Sequence, residues 1–162
     1  GKFDDGFTVA AAGYLFNFAA HSKPKPLFSS TSGYATADDA AAAAIQMAKG
    51  YSDFGSVEYG GTIFRDINGF EFDIFRGGSS SVSFTLRAGV TDWWHTHPSD
   101  PLTPEVDREN AFLSPADVKQ TRIIEQNLNY SVGAYLLTPA QVLKYIPFPT
   151  IPSHEFDYTV RQ

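Results

Sequence analysis

The spacing of apolar and polar positions along this chain changes period several times, and each change predicts an element. Residues 37–49 are almost all strong helix formers, opened by the capping-box-like pair Thr36 and Asp39 and closed by Gly50, so an alanine-rich helix is expected there. Residues 57–66, with Glu58 on the strand, and 70–76 read as two strands joined through Ile67-Asn68-Gly69, where Asn-Gly supplies the positive φ angles of a tight hairpin. Val82, Phe84 and Leu86 alternate with Ser83, Thr85 and Arg87 as in a half-buried strand, and a further strand covers residues 90–96. Ser114 and Pro115 open a second helix that runs to about Asn127. Strands at residues 130–137 and 141–146, around Thr138-Pro139, complete an α/β pattern.

Between and before these elements the composition shifts. Residues 1–20 mix Gly, Ala and aromatics and are compatible with a short apolar helix from about Thr8. Residues 21–34 are rich in Pro, Ser and Lys, the make-up of a connector, which divides the chain into a leader and linker at 1–34 and one domain at 35–162. Four acidic residues and three prolines at 98–113 predict an exposed loop bordering a cleft. The tail from Pro147 carries no clear pattern. The chain starts at Gly1 with no Met before it, which reads as a piece of something longer or a tag remnant.

Composition narrows the partners. The 162 residues are 43% hydrophobic, with 14 Phe and 8 Tyr, enough for one sizeable core. A net charge of −6 with only 12 Lys plus Arg argues against a broad phosphate-binding surface, so nucleic acid is not the expected partner. With no cysteine, any metal must be held by His, Asp or Glu. No apolar run approaches the roughly 20 residues of a membrane span, and the start does not have the form of a signal peptide.

The candidate chemistry lies in Trp93-Trp94-His95-Thr96-His97-Pro98. Residues i and i+2 of a strand share a face, so His95 and His97 can offer two imidazoles to one ion while Thr96 faces away. Two nitrogens and one carboxylate oxygen, with a fourth position open for water, describe a catalytic zinc site rather than a structural one. Asp117, in the first turn of the second helix, is the candidate third ligand. Read alone, Ser114-x-x-Asp117 is sufficiently explained as an N-cap with a carboxylate favoured by the helix dipole; the two roles are compatible. Strand alternation puts one of Trp93 and Trp94 in the core. His21 and His154 have no carboxylate at ligand spacing.

Three ordered segments, Glu58-Tyr59-Gly60-Gly61, His95-Thr96-His97-Pro98 and Ser114-Pro115-Ala116-Asp117, resemble the signature of the JAMM (also JAB or MPN+) metalloproteases. The resemblance covers residues 36–146 and implies a JAB/MPN-like, cytidine-deaminase-like mixed sheet flanked by helices. It also implies zinc on His95, His97 and Asp117, Glu58 holding and deprotonating the fourth-position water, and Ser114 stabilising the oxyanion. Zinc lowers the pKa of bound water to about 7, and a nearby carboxylate can take the proton and pass it to the leaving amine. Glu71 competes as the base; Glu58 is preferred because Gly60-Gly61 beside it belongs to the resemblance. The spacer at 99–113 is longer than in eukaryotic members, which bears on how substrate is selected, on covering of the site before activation, or on an inhibitor.

A second resemblance concerns the leader. Gly1-Lys2-Phe3, Gly6-Phe7-Thr8-Val9-Ala10-Ala11 and Gly13-Tyr14-Leu15-Phe16-Asn17 resemble the segment preceding the variable C-terminal toxin in Rhs-type and contact-dependent polymorphic toxins. The Glu-Tyr-Gly-Gly strand, the His-Thr-His turn and Phe112-Leu113-Ser114-Pro115-Ala116-Asp117 resemble the JAB-like domain DUF4329, known at the ends of Rhs proteins. Together these imply the toxin module of a secreted bacterial effector of the type VI kind, a zinc peptidase delivered to the target-cell cytoplasm. Its implied partners are a target-cell protein substrate, a cognate immunity protein and the parent Rhs-type delivery protein.

Three other readings compete. Nucleobase deamination generally uses Cys ligands, and this chain has none. A catalytically silent JAB-like binding module would use the long loop for a protein partner, although the complete set of five site residues argues against decay. A zinc hydrolase acting on a non-peptide substrate such as nucleic acid has the same ligands but meets an acidic surface.

Overall fold

A computed structural model describes residues 24–98 and 113–147 together with the backbone of 159–160. The leader helix from Thr8, residues 99–112 of the long loop and the rest of the tail lie outside the described residues. In chain order the elements are β1 (Phe28–Ser29), α1 (Ala37–Ala48), β2 (Tyr59–Asp66), β3 (Gly69–Arg76), β4 (Val90–Thr96), α2 (Pro115–Leu128), β5 (Gly133–Leu137), β6 (Leu143–Ile146) and β7 (Thr159–Val160). The strands form one mixed sheet in the order β1-β3-β2-β4-β5-β6-β7. Among these pairs only β4–β5 is parallel. A parallel pair needs a crossover, and α2 supplies it. The α/β class expected from the pattern is the class observed. Among the described residues no helix is long and apolar enough to cross a membrane.

The two helices lie against different apolar clusters. Thr36 caps α1, its Oγ1 accepting from Asp39 N–H at 3.1 Å, with Asp38 and Asp39 placed favourably at the positive end of the dipole. Ala40, Ala41, Ala44 and Ala48 are fully buried, and their small side chains bring the helix close to Tyr59, Ile63, Phe72, Ile74 and Trp94. Ile124 of α2 belongs to the second cluster, with Phe64, Val90, Trp93, Ala134 and Leu136. Neighbours in β4, Trp93 and Trp94 therefore belong to different clusters, and both are completely buried. The alternation expected one tryptophan in the core; two-sided cover of a central strand puts both there.

Three expectations are corrected. Residues 82–86 form no strand: β3 is already flanked by β1 and β2, and Phe84 packs its ring at a tilt against Phe75 of β3 and stacks on Trp93 of β4, so the segment packs its apolar side against other side chains instead of joining the ladder. In the β2–β3 hairpin the register pairs Asp66 with Gly69, and Gly69 alone takes a positive φ, +127°. Asn68 instead donates its N–H to Asp66 Oδ1 at 2.6 Å. Finally, within the connector-like segment, Phe28–Ser29 pairs with β3 and Tyr34 bridges to Phe70, so residues near 28–34 belong to the sheet.

Candidate metal centre

The centre forms where the C-terminal end of β4 meets the N-terminal turn of α2. His97 N–H donates to Leu137 O at 2.9 Å, continuing the β4–β5 ladder one residue past the strand. Between the histidines, Thr96 serves the scaffold, its Oγ1 accepting from Tyr59 N–H at 2.9 Å. His95 and His97 bring their Nε2 atoms to 2.8 Å from each other. Asp117 closes the group, with Oδ1 3.5 Å from His95 Nε2 and Oδ2 3.6 Å from His97 Nε2.

The position of Asp117 follows from the helix start. Ser114 Oγ accepts from Asp117 N–H at 3.2 Å, and Ser114 N–H donates to Asp117 Oδ2 at 2.8 Å, a reciprocal capping box. Pro115 fits the first turn, where its missing N–H costs nothing. The cap thus aims the carboxylate at the strand while holding one of its oxygens.

Protonation suits a cation. Burial, the largest influence on His95, disfavours the imidazolium and lowers its pKa, with Asp117 pulling it back up. Burial also opposes charge on Asp117, but the neighbouring imidazoles outweigh it and hold the carboxyl far below the usual carboxylate range. Neutral imidazole and ionised carboxylate are the forms that bind metal. The group is compact: the two Nε2 atoms lie 2.8 Å apart, Asp117 Oδ1 is 3.5 Å from the first and Oδ2 3.6 Å from the second, and one ligand atom from each residue lies within 4.8 Å of the other two. His95, His97 and Asp117 form a group able to hold a metal ion.

Glu58 precedes β2 rather than lying within it. Its N–H donates to Gly78 O at 2.7 Å and its carbonyl accepts from Gly77 N–H at 2.8 Å, which anchors the backbone. Tyr59 is pinned beside it by stacking on Tyr51 and by its hydroxyl donating to Asp53, which also pairs with Arg76. Because Gly60 pairs with His95, two residues back along the antiparallel register puts Glu58 level with His97. Burial pushes the Glu58 carboxyl up to about 8, with His97 pulling it back and Asp117 pushing it further. A carboxyl in this range can both take and return a proton near neutral pH. The rival Glu71 is perturbed first by burial and then by Asp66, Arg87 and Asp73, none of them a member of the centre. Register and surroundings thus separate the two glutamates.

Sequence reasoning brought together Glu58, His95, His97, Ser114 and Asp117, and the fold gathers all five at one end of β4. It missed what lies beneath them. Trp93 stacks face to face on His95, with centroids 4.8 Å apart and planes 9° from parallel, and its indole Nε1–H donates to Thr121 Oγ1 at 3.2 Å. The signal was present in two spacings: Trp93 is i−2 from His95 on a strand, and Thr121 is i+4 from Asp117 on a helix. Gly60 also has a steric reason, since a Cβ there would lie 3.1 Å from His95 Cβ, 2.7 Å from Trp94 O and 2.8 Å from Val82 Cγ1. Comparison with family models, with curated proteins and with solved structures finds no match to this chain.

Proposed function

We propose that this chain is a zinc-dependent peptidase of the JAMM-like kind, with a JAB-like fold. The observation that carries the reading is the convergence of ligand atoms from His95, His97 and Asp117 to within 4.8 Å of one another, with the raised carboxyl of Glu58 level with His97. Zinc at these three ligands would supply a Lewis acid for a carbonyl and an acidified water in the fourth position. Glu58 takes the proton of the attacking water and delivers it to the leaving amine, a role suited to a carboxyl whose pKa is near 8. Ser114 Oγ uses its lone pair as the helix cap, which leaves its O–H to donate toward the developing oxyanion. Burial of His95 and Asp117 limits competing water and strengthens each of these interactions.

The biological setting rests on the leader's resemblance to pre-toxin segments. In it the chain is the C-terminal toxin module of a secreted Rhs-type effector that acts in the cytoplasm of a target cell. A target-cell protein is its substrate, and a cognate immunity protein restrains it. The decisive experiment combines metal analysis of the purified chain with target-cell toxicity of wild type, Glu58→Gln and His95→Ala. One zinc per chain in wild type, with toxicity abolished in both variants, is expected. No zinc under metal-replete conditions, or full toxicity in either variant, would sink the mechanism.

A further inference from the structure

We propose that Trp93 and Thr121 are positioning residues for the metal centre, closing a circuit of contacts that orients His95 against Asp117. The inference rests on the metal-binding reading above, but concerns residues outside the five that the motif supplies.

The circuit begins with a missing contact. A metal-binding histidine is usually oriented by an acceptor on its second ring nitrogen. His95 Nδ1 is buried and, among the described residues, has no hydrogen-bond partner. What touches the ring instead is the parallel face of Trp93. The indole is in turn fixed by its Nε1–H, donated to Thr121 Oγ1 at 3.2 Å, and by stacking with Phe84. Thr121 then donates its own O–H to Asp117 O at 2.9 Å, one helical turn back. Asp117 Oδ1 returns to His95 Nε2 at 3.5 Å. Trp93, His95, Asp117 and Thr121 are all buried.

The chemistry of Thr121 suits this place. One hydroxyl accepts from the indole and donates to the carbonyl, so both of its functions are used, and the β-branched side chain has few rotamers in a helix. Along the backbone, β4 and the start of α2 are joined only through the long segment after His97. The circuit is therefore a direct tie between the strand that carries two ligands and the helix that carries the third. Slackening it leaves all three ligands in the chain while loosening their mutual aim.

The test is zinc affinity of the full chain, measured by competition with a chromophoric chelator, together with the visible spectrum of the cobalt-substituted protein. Thr121→Val keeps the shape and removes the hydroxyl; Thr121→Ser keeps the hydroxyl; Trp93→Phe keeps an aromatic ring and removes the N–H. Loss of outer contacts of this kind weakens metal binding about 10–100-fold. Thr121→Val and Trp93→Phe are expected to show a loss of that size and an altered cobalt spectrum, with Thr121→Ser restoring most of both. Unchanged affinity and spectrum in Thr121→Val would overturn the circuit, as would equal losses in the Val and Ser variants, because a packing role does not distinguish them by hydroxyl. If wild type binds neither zinc nor cobalt, the metal reading and the circuit fall together. If wild type binds and Thr121→Val binds as well, only the circuit falls.

Discussion

Asp117 Oδ1 lies 3.5 Å from His95 Nε2, so a carboxylate in the first turn of α2 meets an imidazole at the end of β4 across a parallel crossover. The meeting is enforced from both sides. A capping box aims the carboxylate, and the β4–β5 ladder holds the strand.

That relationship predicts the effect of Asp117→Asn. Zinc at 100 times its Kd stabilises a folded protein by about 2.7 kcal/mol. Wild type is expected to show a melting-temperature rise of that origin, reversed by a chelator. Asn retains an oxygen that can accept the Ser114 N–H, so the variant should fold but lose most of the zinc-dependent rise. An equal rise in both proteins would exclude Asp117 as a ligand.

Glu58 makes the metal-free protein sensitive to pH. Its folded pKa is raised to about 8 from 4.5. Below 4.5 the carboxyl is protonated in both states and costs nothing. As pH rises from 4.5 towards 8, the unfolded chain releases a proton that the folded chain retains, so stability falls by an amount on the order of several kcal/mol and then levels off. Glu58→Gln removes this penalty. Chemical denaturation of the chelator-treated proteins should find the variant more stable at pH 8, with the gap closing towards pH 4.5, while peptide hydrolysis by the zinc-loaded variant is lost. A gap that is independent of pH would contradict the assignment.

Ser114 has two separable tasks. Ser114→Ala removes the helix cap and is expected to cost about 1 kcal/mol of stability. Ser114→Asp keeps a capping acceptor but has no hydroxyl to donate to an oxyanion. If both roles are real, the Asp variant is nearly as stable as wild type in denaturant melts yet as poor a catalyst as the Ala variant. Full activity in either variant would remove Ser114 from the chemistry.

Gly60 is required by the close approach of β2 to β4. In Gly60→Ala the added methyl meets Trp94 O, Val82 Cγ1 and His95 Cβ, and only the valine can move easily. Overpacking of this kind costs about 1–3 kcal/mol. The variant should lose stability by that amount in a denaturant titration and also bind zinc more weakly, because the strain falls on the backbone that carries His95. Unchanged stability would mean that the sheet opens to admit the methyl without difficulty.

Much of this architecture was legible in short-range pattern. Thr36 with Asp39 and Ser114 with Asp117 announce helix starts because a cap satisfies donors only two or three residues away. His95 and His97 share a face because the strand period is two. Where the pattern misled, the missing information was a neighbour. Alternation at residues 82–86 shows which side is apolar, but a ladder also needs a free strand edge, and β3 offers none. Residues near 28–34 have the composition of a connector, yet β3 takes Phe28–Ser29 as a partner.

The sequence by itself therefore determined the helices, the histidine pair and the capped carboxylate, since each depends on backbone geometry within a few residues. Only the tertiary structure decided which glutamate faces the centre, that both tryptophans are buried, and that Trp93 and Thr121 stand beneath the ligands. Those outcomes depend on strand order, register and the parallel crossover through α2, and such long-range pairings follow from packing of the whole chain rather than from any local spacing.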